Sequence, residues 1–188
     1  MTRVCANNSP RRRLARLKSY DYALNGAYYV TIVTKNRLCL FGDVTNDAVQ
    51  LNDAGKMIAA QWRTLPTKFP NTQLDEFIVM PNHIHGIIIF VGASLVGAHS
   101  NASNSGDKND IPTKKLGDVI GAYKSLTTVA FVQGVKTLKW PPFSEKLWQR
   151  NYYEHIIRND KDLLSIQQYI TDNPARWNED PDNLQKIT

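Results

Sequence analysis

Two histidines, His83 and His85, are separated by one residue in the run MPNHIHGIIIF, which spans positions 80 to 90. The apolar residues after them indicate a strand, and in a strand residues i and i+2 point to the same face. We therefore expect the two imidazoles side by side, with Ile87 and Ile89 continuing their face into a core. Such a pair supplies half of a metal site, but two ligands seldom hold a divalent ion tightly. The alternative is a pair of hydrogen-bonded polar residues at a strand end.

A second group of polar residues falls on the last predicted helix, which Asp160 would cap and which ends at Asn173-Pro174. Tyr169 and Asn173 are four residues apart, so they share one edge of that helix. If the helix packs beside the histidine strand, Asn173 offers an amide oxygen as a third metal ligand and Tyr169 presents its phenol beside the ion. The alternative is that Tyr169 is an aromatic residue at the edge of the core and Asn173 only a helix cap.

Length and composition indicate a single globular domain. The chain has 188 residues, of which 42% are hydrophobic and 21% charged. No run reaches the 18 or so apolar residues of a membrane span, and the arginines near the N-terminus are not followed by the apolar stretch of a signal peptide. Two distant cysteines, Cys5 and Cys39, argue against a disulfide framework and favour a reducing, cytoplasmic location.

The positive charge is concentrated at the start of the chain, although the net charge is only +6. Residues 1–19 form a basic arm whose charged side chains all precede the first acidic residue, Asp21. Such an arm ahead of a folded domain is typical of contact with a polyanion, most simply nucleic acid. The alternative is a solvated tail. The cationic residues of the arm are Arg3, Arg11, Arg12, Arg13, Arg16 and Lys18.

The remaining elements are read from periodicity and turn residues. We predict strands over 27–35, 73–80, 83–91 and 144–158, and two short strands within 38–51 around a turn at Asn46-Asp47. A helix capped by Asn52 or Asp53 should run to about Leu65, where Pro66 and Pro70 end it. A second should cover 116–132, with a buried stripe of Val119, Ile120, Tyr123, Leu126 and Ala130. Residues 92–115 are rich in Ser, Asn, Asp and Gly and read as a mobile surface loop.

This order of elements predicts an α+β fold, a ferredoxin-like (RRM-like) antiparallel sheet with helices on one face and an extra C-terminal helix. The folded domain is expected over residues 20–177, followed by a tail at 178–188.

Three segments together resemble a known family. His83-Ile84-His85 matches the histidine–hydrophobe–histidine signature of the HUH single-strand DNA nucleases. MPNHIHGIII, LWQRNYYEHIIRNDKDL and QQYITDNPARW, in that order, are similar to the REP-associated tyrosine transposases and their single-tyrosine insertion-sequence relatives. The resemblance covers about residues 22–177, and three ordered motifs are more specific than any one.

The resemblance implies that Tyr169 in the terminal helix is the nucleophile. Tyr152 and Tyr153 are rivals, but they are consecutive on a predicted strand, so at most one of them can face the site. It also implies a divalent metal, Mg²⁺ or Mn²⁺, held by His83, His85 and Asn173. The implied reaction is transesterification on single-stranded DNA through a 5′-phosphotyrosine. Chemistry alone leaves zinc open as well.

The implied partner is single-stranded or hairpin DNA in a prokaryotic, nucleoid-associated setting, with the protein a monomer or homodimer and without a membrane. Two other functions stay open: a catalytically silent regulator that binds DNA hairpins, and an unrelated metal-dependent hydrolase. Cations and aromatic stacking surfaces would bind the strand. The candidates are Arg11, Arg12, Arg13, Arg16, Lys18, Lys35, Lys115, Lys124, Trp148, Arg150, Tyr152 and Tyr153.

Overall fold

A four-stranded antiparallel sheet forms the centre of the computed structural model, which describes residues 26–91 and 115–183. The strands in chain order are β1 (Gly26–Val33), β2 (Gly42–Thr45), β3 (Ala48–Leu51), β4 (Thr72–Val79), β5 (His83–Phe90) and β6 (Tyr153–Ile157). The central sheet has the order β4-β5-β1-β6, and β2 with β3 forms a separate hairpin. The predicted α+β fold with a ferredoxin-like sheet is confirmed, because this is the strand order of a βαββαβ unit with every neighbouring pair antiparallel.

Within the described residues, four α-helices accompany the sheet: α1 (Asp53–Arg63), α2 (Leu65–Lys68), α3 (Leu116–Leu138) and α4 (Asp160–Asp172). The Asn52 side chain accepts a hydrogen bond from the Gly55 amide and so caps α1, and Asn159, not Asp160, caps α4 in the same way. None of the helices in the described part of the chain is both long and apolar enough to cross a bilayer.

The main core lies between one face of the sheet and the helices α1 and α3. Alternate residues of β1, Tyr28, Val30 and Ile32, are fully buried there. Trp62 of α1 packs so closely on β5 that a Cβ at Gly86 would lie 2.5 Å from its ring. Only a glycine leaves room for this approach of helix to strand.

The opposite face of the sheet is covered by α4. Ile170 of this helix packs with Tyr29 of β1 and Ile87 of β5 in a second, smaller apolar cluster. The same face carries both histidines, since His83, His85 and Ile87 alternate with residues that enter the main core. The extra C-terminal helix predicted from the sequence is α4, and it occupies part of this face.

Several boundaries differ from those predicted. Pro66 does not end the helical segment, because it lies in the first turn of α2, where a missing amide hydrogen costs nothing. Helix α3 runs to Leu138 and buries Thr127, Phe131 and Gly134, whereas Leu126 and Ala130 are only half-buried. The extended run predicted over 144–158 contains an isolated bridge at Trp148 and a strand only from Tyr153.

The folded domain extends past the predicted boundary at 177. A short 3₁₀ helix at Trp177–Glu179 is followed by residues that pack against β5, and Asp180 and Asn183 are both buried. The basic arm, most of the predicted loop at 92–115 and the end of the predicted tail lie outside the described residues.

Candidate functional site

His83 and His85 are buried side by side on the sheet face that α4 covers. His83 is 0% exposed and His85 3%, and their Nε2 atoms are 2.9 Å apart. Strand β5 places them there because its register with β1 pairs His85 with Thr31 and His83 with Val33. The side-by-side placement predicted from their spacing is confirmed.

Both histidines are held neutral. Burial, with a smaller contribution from the Arg37 charge, lowers the pKa of His83 to about 3. Burial and the neighbouring His83 lower the pKa of His85 well below its usual value. Neutral imidazole is the form that coordinates a metal, so the environment prepares both rings as ligands.

The hydrogen bonds of Asn82 fix which nitrogen of His83 carries the proton. The Asn82 amide nitrogen donates to the backbone oxygens of Asp182, at 2.7 Å, and Arg37, at 3.3 Å. Its oxygen therefore faces His83 Nδ1, 2.8 Å away, and accepts the hydrogen there. The lone pair of His83 is left on Nε2, which points into the site.

His85 is oriented from its other side by two hydroxyl groups of β1. The Tyr29 hydroxyl lies 2.7 Å from His85 Nδ1, and the Thr31 hydroxyl lies 2.9 Å from it. Thr31 also donates to the Tyr29 oxygen at 3.1 Å. Such outer hydrogen bonds fix the ring orientation of metal-binding histidines. Neither residue was predicted from the sequence, although both alternate along β1 with residues of the main core.

Tyr169 lies beside the histidine pair, as predicted for a helix packed against β5. Its ring centroid is 5.4 Å from that of His85 and 6.2 Å from that of Tyr29. The side chain is 36% exposed, so it can be reached from solvent. Burial and the Asp180 carboxylate raise the pKa of Tyr169, while hydrogen bonds with Asn173 and Tyr29 act in the opposite direction.

Asp180 is a candidate metal ligand that was not predicted from the sequence. Its Oδ2 atom is 3.8 Å from His83 Nε2, and one potential ligand atom from each of His83, His85 and Asp180 lies within 4.8 Å of the others. Burial raises the pKa of Asp180, and a side-chain hydrogen bond with Asn173 lowers it. The sequence placed Asp180 in a tail, and no local pattern distinguishes it from the other acidic residues of that segment.

Asn173, the predicted third ligand, lies beside Asp180 and Tyr169, and its side chain is hydrogen-bonded to both. It is 2% exposed, and its Oδ1 atom is buried without a hydrogen-bond partner among the described residues. A buried polar oxygen without a partner is costly. An ion would satisfy it.

The donor atoms fit a divalent cation. His83 Nε2 and Asp180 Oδ2 both present lone pairs, and they lie 3.8 Å apart. Acceptor atoms that face one another with few hydrogens between them are stabilised when a positive ion binds to them. Two imidazoles with carboxylate and amide oxygens suit Mn²⁺ or zinc, and the oxygens also suit Mg²⁺.

A short segment near the C-terminus, residues 180–183, holds Asp180 beside the histidines. The Arg37 guanidinium donates to the Asp182 carboxylate at 2.8 Å, and Asn82 binds the backbone oxygen of the same residue. The Asp182 amide in turn donates to Asp180, at 2.6 Å. We call this set of contacts the C-terminal clasp, and it fixes the carboxylate of Asp180 to the start of β5.

The predicted DNA-binding residues fall into several environments. Tyr153 is 40% exposed and lies on the site face, 6.0 Å from the Tyr29 ring. Tyr152 packs against the main core, so the two tyrosines do face opposite ways. Trp148 is 4% exposed and its indole donates to Thr127, so the structure places it in the core and not on a stacking surface.

The predicted cations also differ in what they contact. The Lys124 ammonium donates to the backbone oxygens of residues 149, 150 and 151 at 3.0 to 3.4 Å, and its ring neighbour is Tyr152. It therefore supports the loop that carries the exposed Arg150. Lys115 is exposed at the start of α3, and Lys35 is half-buried after β1. Arg11, Arg12, Arg13, Arg16 and Lys18 lie outside the described residues.

Comparisons with known proteins place this geometry in context. An uncharacterized protein of Haemophilus influenzae is 40% identical over 172 residues, which cover 90% of this chain and 91% of the relative. The structure of a REP-associated tyrosine transposase bound to a REP hairpin matches with a TM-score of 0.56 and 18% identity, over 89% of this chain and 81% of the other. No protein-family model matches the chain.

The chain therefore has the fold of this transposase structure, and the resemblance indicated by its three motifs is confirmed at the level of the fold. More particularly, it belongs to the same family as the Haemophilus influenzae protein, to which it is similar along nearly its whole length.

Proposed function

We propose that the protein is a metal-dependent single-stranded DNA endonuclease and strand transferase that cuts near DNA hairpins. One observation carries this proposal: a partly exposed tyrosine on α4 lies 5.4 Å, ring to ring, from one of two buried, neutral histidines. A phenol beside a potential cation site is the arrangement that a tyrosine nucleophile needs, since a nearby positive charge favours its ionised form.

Tyr169 is the proposed nucleophile. Its oxygen attacks a backbone phosphorus and forms a new P–O bond, while the bond from phosphorus to the 3′ oxygen breaks. The released 3′ oxygen becomes a hydroxyl, and its proton balances the one that the phenol loses. The DNA is left joined to the protein as a 5′-phosphotyrosine. Because one phosphoester replaces another, a second 3′-hydroxyl can later reverse the reaction without ATP.

His83, His85, Asp180 and Asn173 are the proposed metal-binding residues, with Mg²⁺ or Mn²⁺ as the ion. A bound divalent ion would polarise the phosphate and offset negative charge in the transition state. The orphaned oxygen of Asn173 and the facing lone pairs of His83 and Asp180 support this role. The deeply buried rings give the ion little freedom of position, as catalysis requires.

Binding of the strand is assigned to exposed groups around the site. Tyr153 lies on the same face as Tyr169 and offers a ring on which a base can stack. Arg150, held by the loop that Lys124 supports, and the basic arm would neutralise phosphates. The solved transposase with this fold was bound to a REP hairpin, which makes imperfect hairpins the first substrates to test.

The decisive experiment is a denaturing gel of the protein incubated with end-labelled hairpin DNA that carries a single-stranded flank. We expect a protein–DNA adduct with Mn²⁺ or Mg²⁺ and none with EDTA. Labelling each end in turn identifies which fragment is attached. A label retained with the protein on the fragment 3′ of the cut indicates a 5′-phosphotyrosine.

Other outcomes distinguish the remaining functions. Tight hairpin binding without any cut would favour the silent regulator. Cleavage without a covalent adduct would favour a hydrolase that uses water as the nucleophile. Either result contradicts the proposed strand transferase.

A further inference from the structure

The hydroxyl of Tyr29 is a buried phenol that the proposed chemistry does not yet use, although it lies between the two halves of the site. It is 2.7 Å from His85 Nδ1, and the ring is 8% exposed. Its ring stacks on His85, with centroids 5.6 Å apart, and meets Tyr169 edge-on at 6.2 Å. A phenol in this position contacts a proposed metal ligand and the proposed nucleophile at once.

The protons of the histidine pair can be assigned when no ion is bound. Asn82 fixes the hydrogen of His83 on Nδ1, so His83 Nε2 is an acceptor. The 2.9 Å contact between the two Nε2 atoms then requires the hydrogen of His85 to be on its own Nε2. His85 Nδ1 is left as an acceptor, and the Tyr29 hydroxyl, which already accepts from Thr31, is placed to donate to it.

Coordination of an ion by both Nε2 atoms requires the opposite tautomer of His85. Its single hydrogen must then be on Nδ1, with no change in net charge. Nδ1 becomes a donor, and the oxygens of Tyr29 and Thr31 become its acceptors at 2.7 and 2.9 Å. The Tyr29 hydrogen is no longer taken by His85 and is available to another acceptor.

We propose that Tyr29 is a positioning residue that couples the tautomer of His85 to the nucleophile: when His85 binds an ion, the Tyr29 hydroxyl turns its hydrogen from His85 Nδ1 to the oxygen of Tyr169. This inference rests on the proposed function of Tyr169 and deepens it. A hydrogen bond donated to the Tyr169 oxygen stabilises its ionised form, and Tyr29 is among the groups that lower the pKa of Tyr169 by a side-chain hydrogen bond.

Tyr29→Phe tests the coupling because it removes only the hydroxyl. Thr31 remains as an acceptor for His85 Nδ1–H, so the affinity for Mn²⁺ should change little. We expect a change of less than about tenfold, which is the smallest effect usually seen when an outer hydrogen-bond partner of a metal ligand is removed. The single-turnover rate of adduct formation, at saturating Mn²⁺ and DNA, should fall on the order of tenfold to a hundredfold, the range for a hydrogen bond to a charged group. Tyr28→Phe is the matched control, because it removes a phenol hydroxyl from the adjacent residue on the opposite face of β1 and should leave the rate unchanged.

A spectroscopic measurement tests the first half of the coupling without DNA. The chain has four histidines, so the ring nitrogens can be resolved by NMR of ¹⁵N-histidine-labelled protein, with His85 assigned through His85→Gln. We expect His85 to be protonated on Nε2 in EDTA and on Nδ1 with Zn²⁺, a diamagnetic probe, while His83 stays protonated on Nδ1. His85 protonated on Nδ1 in EDTA, or unchanged by Zn²⁺, overturns the coupling.

The outcomes distinguish a failure of the Tyr29 coupling from a failure of the proposed strand-transferase function. If the unaltered protein forms an adduct and Tyr29→Phe forms it at the same rate, the coupling is wrong and the strand-transferase function stands. If the unaltered protein forms no adduct, both are wrong. A loss of Mn²⁺ affinity equal to the loss of rate would show that Tyr29 only orients His85, which also overturns the coupling.

Discussion

Asp180 Oδ2 lies 3.8 Å from His83 Nε2, although the two residues are far apart in the sequence and on different elements. The carboxylate is brought there by the C-terminal clasp, through Arg37, Asn82 and Asp182. The candidate metal site is therefore built from the start of one strand, the end of one helix and a segment that follows that helix.

Tyr169→Phe should abolish the covalent adduct while hairpin binding survives, because only the attacking oxygen is removed. The denaturing gel measures the adduct, and a native gel measures binding. Tyr152→Phe and Tyr153→Phe serve as controls, and both should still form the adduct. An adduct from Tyr169→Phe together with its loss in Tyr153→Phe would transfer the nucleophile to the neighbouring strand.

Asp180→Asn should raise the Mn²⁺ concentration needed for half-maximal cleavage by about tenfold or more, since a charged ligand becomes a neutral one. The asparagine oxygen can still accept from the Asp182 amide, so the clasp should persist. Asn173→Ala should have a milder effect, because it removes a neutral donor. The measurement is a Mn²⁺ titration of cleavage. Asp160→Asn, on the exposed first turn of α4, is the matched control, and an equal effect there would contradict a specific role for Asp180.

Deletion of residues 1–19 should weaken DNA binding on the order of tenfold at moderate salt, because several phosphate contacts are lost together. Each lost contact should flatten the dependence of log affinity on log salt by about 0.7 for single strands. Cleavage at saturating DNA should change much less. Binding titrations at several salt concentrations measure both quantities, and an unchanged slope would identify the arm as a solvated tail.

The free energy of unfolding of the metal-free protein should fall as the pH decreases from 7.5 to 5.5. In the unfolded chain both site histidines titrate near 6.5, whereas in the folded protein the pKa of His83 is about 3 and that of His85 is also lowered. The unfolded state therefore binds more protons in this range, and each histidine should cost about 1.4 kcal/mol. Asp180, whose pKa is raised, acts in the opposite sense at lower pH.

Chemical denaturation in EDTA at the two pH values measures this loss. The double variant His83→Gln, His85→Gln should show a flatter dependence on pH than the unaltered protein. Identical curves for the two proteins would show that the histidines do not titrate as their burial requires.

Gly86→Ala should destabilise the fold by about 1 to 3 kcal/mol, because the added methyl group would meet the fully buried ring of Trp62. Gly121→Ala is the control, since a Cβ there meets nothing within 4 Å and alanine favours a helix. Thermal unfolding compares the two. Equal stability of Gly86→Ala and the unaltered protein would mean that the helix can move away from β5 at little cost.

Local patterns predicted the parts of the site whose geometry is set by one element. The period of two in β5 placed His83 with His85, and the helical spacing placed Tyr169 near Asn173. The sequence did not predict that α4 packs beside β5, because nothing in either segment specifies which element it contacts. A site containing both Tyr169 and the histidines could therefore be predicted only if that packing was assumed. Asp180 was beyond prediction, since its position depends on the Arg37–Asp182 ion pair across the fold. Trp148 was wrongly predicted to be a stacking surface for DNA, because the sequence of an irregular segment does not show whether an aromatic residue is buried.

The C-terminal clasp also gives the site an order of assembly during synthesis. A ribosome makes the histidines first, and the nucleophile, the amide and finally the carboxylate follow in that order. A nascent or prematurely terminated chain that stops before Asp180 can hold the histidine pair and Tyr169 but lacks the group that the clasp anchors. An unfinished polypeptide is thus short of one of its proposed ion-binding groups until Asp180 has been added and the clasp has formed.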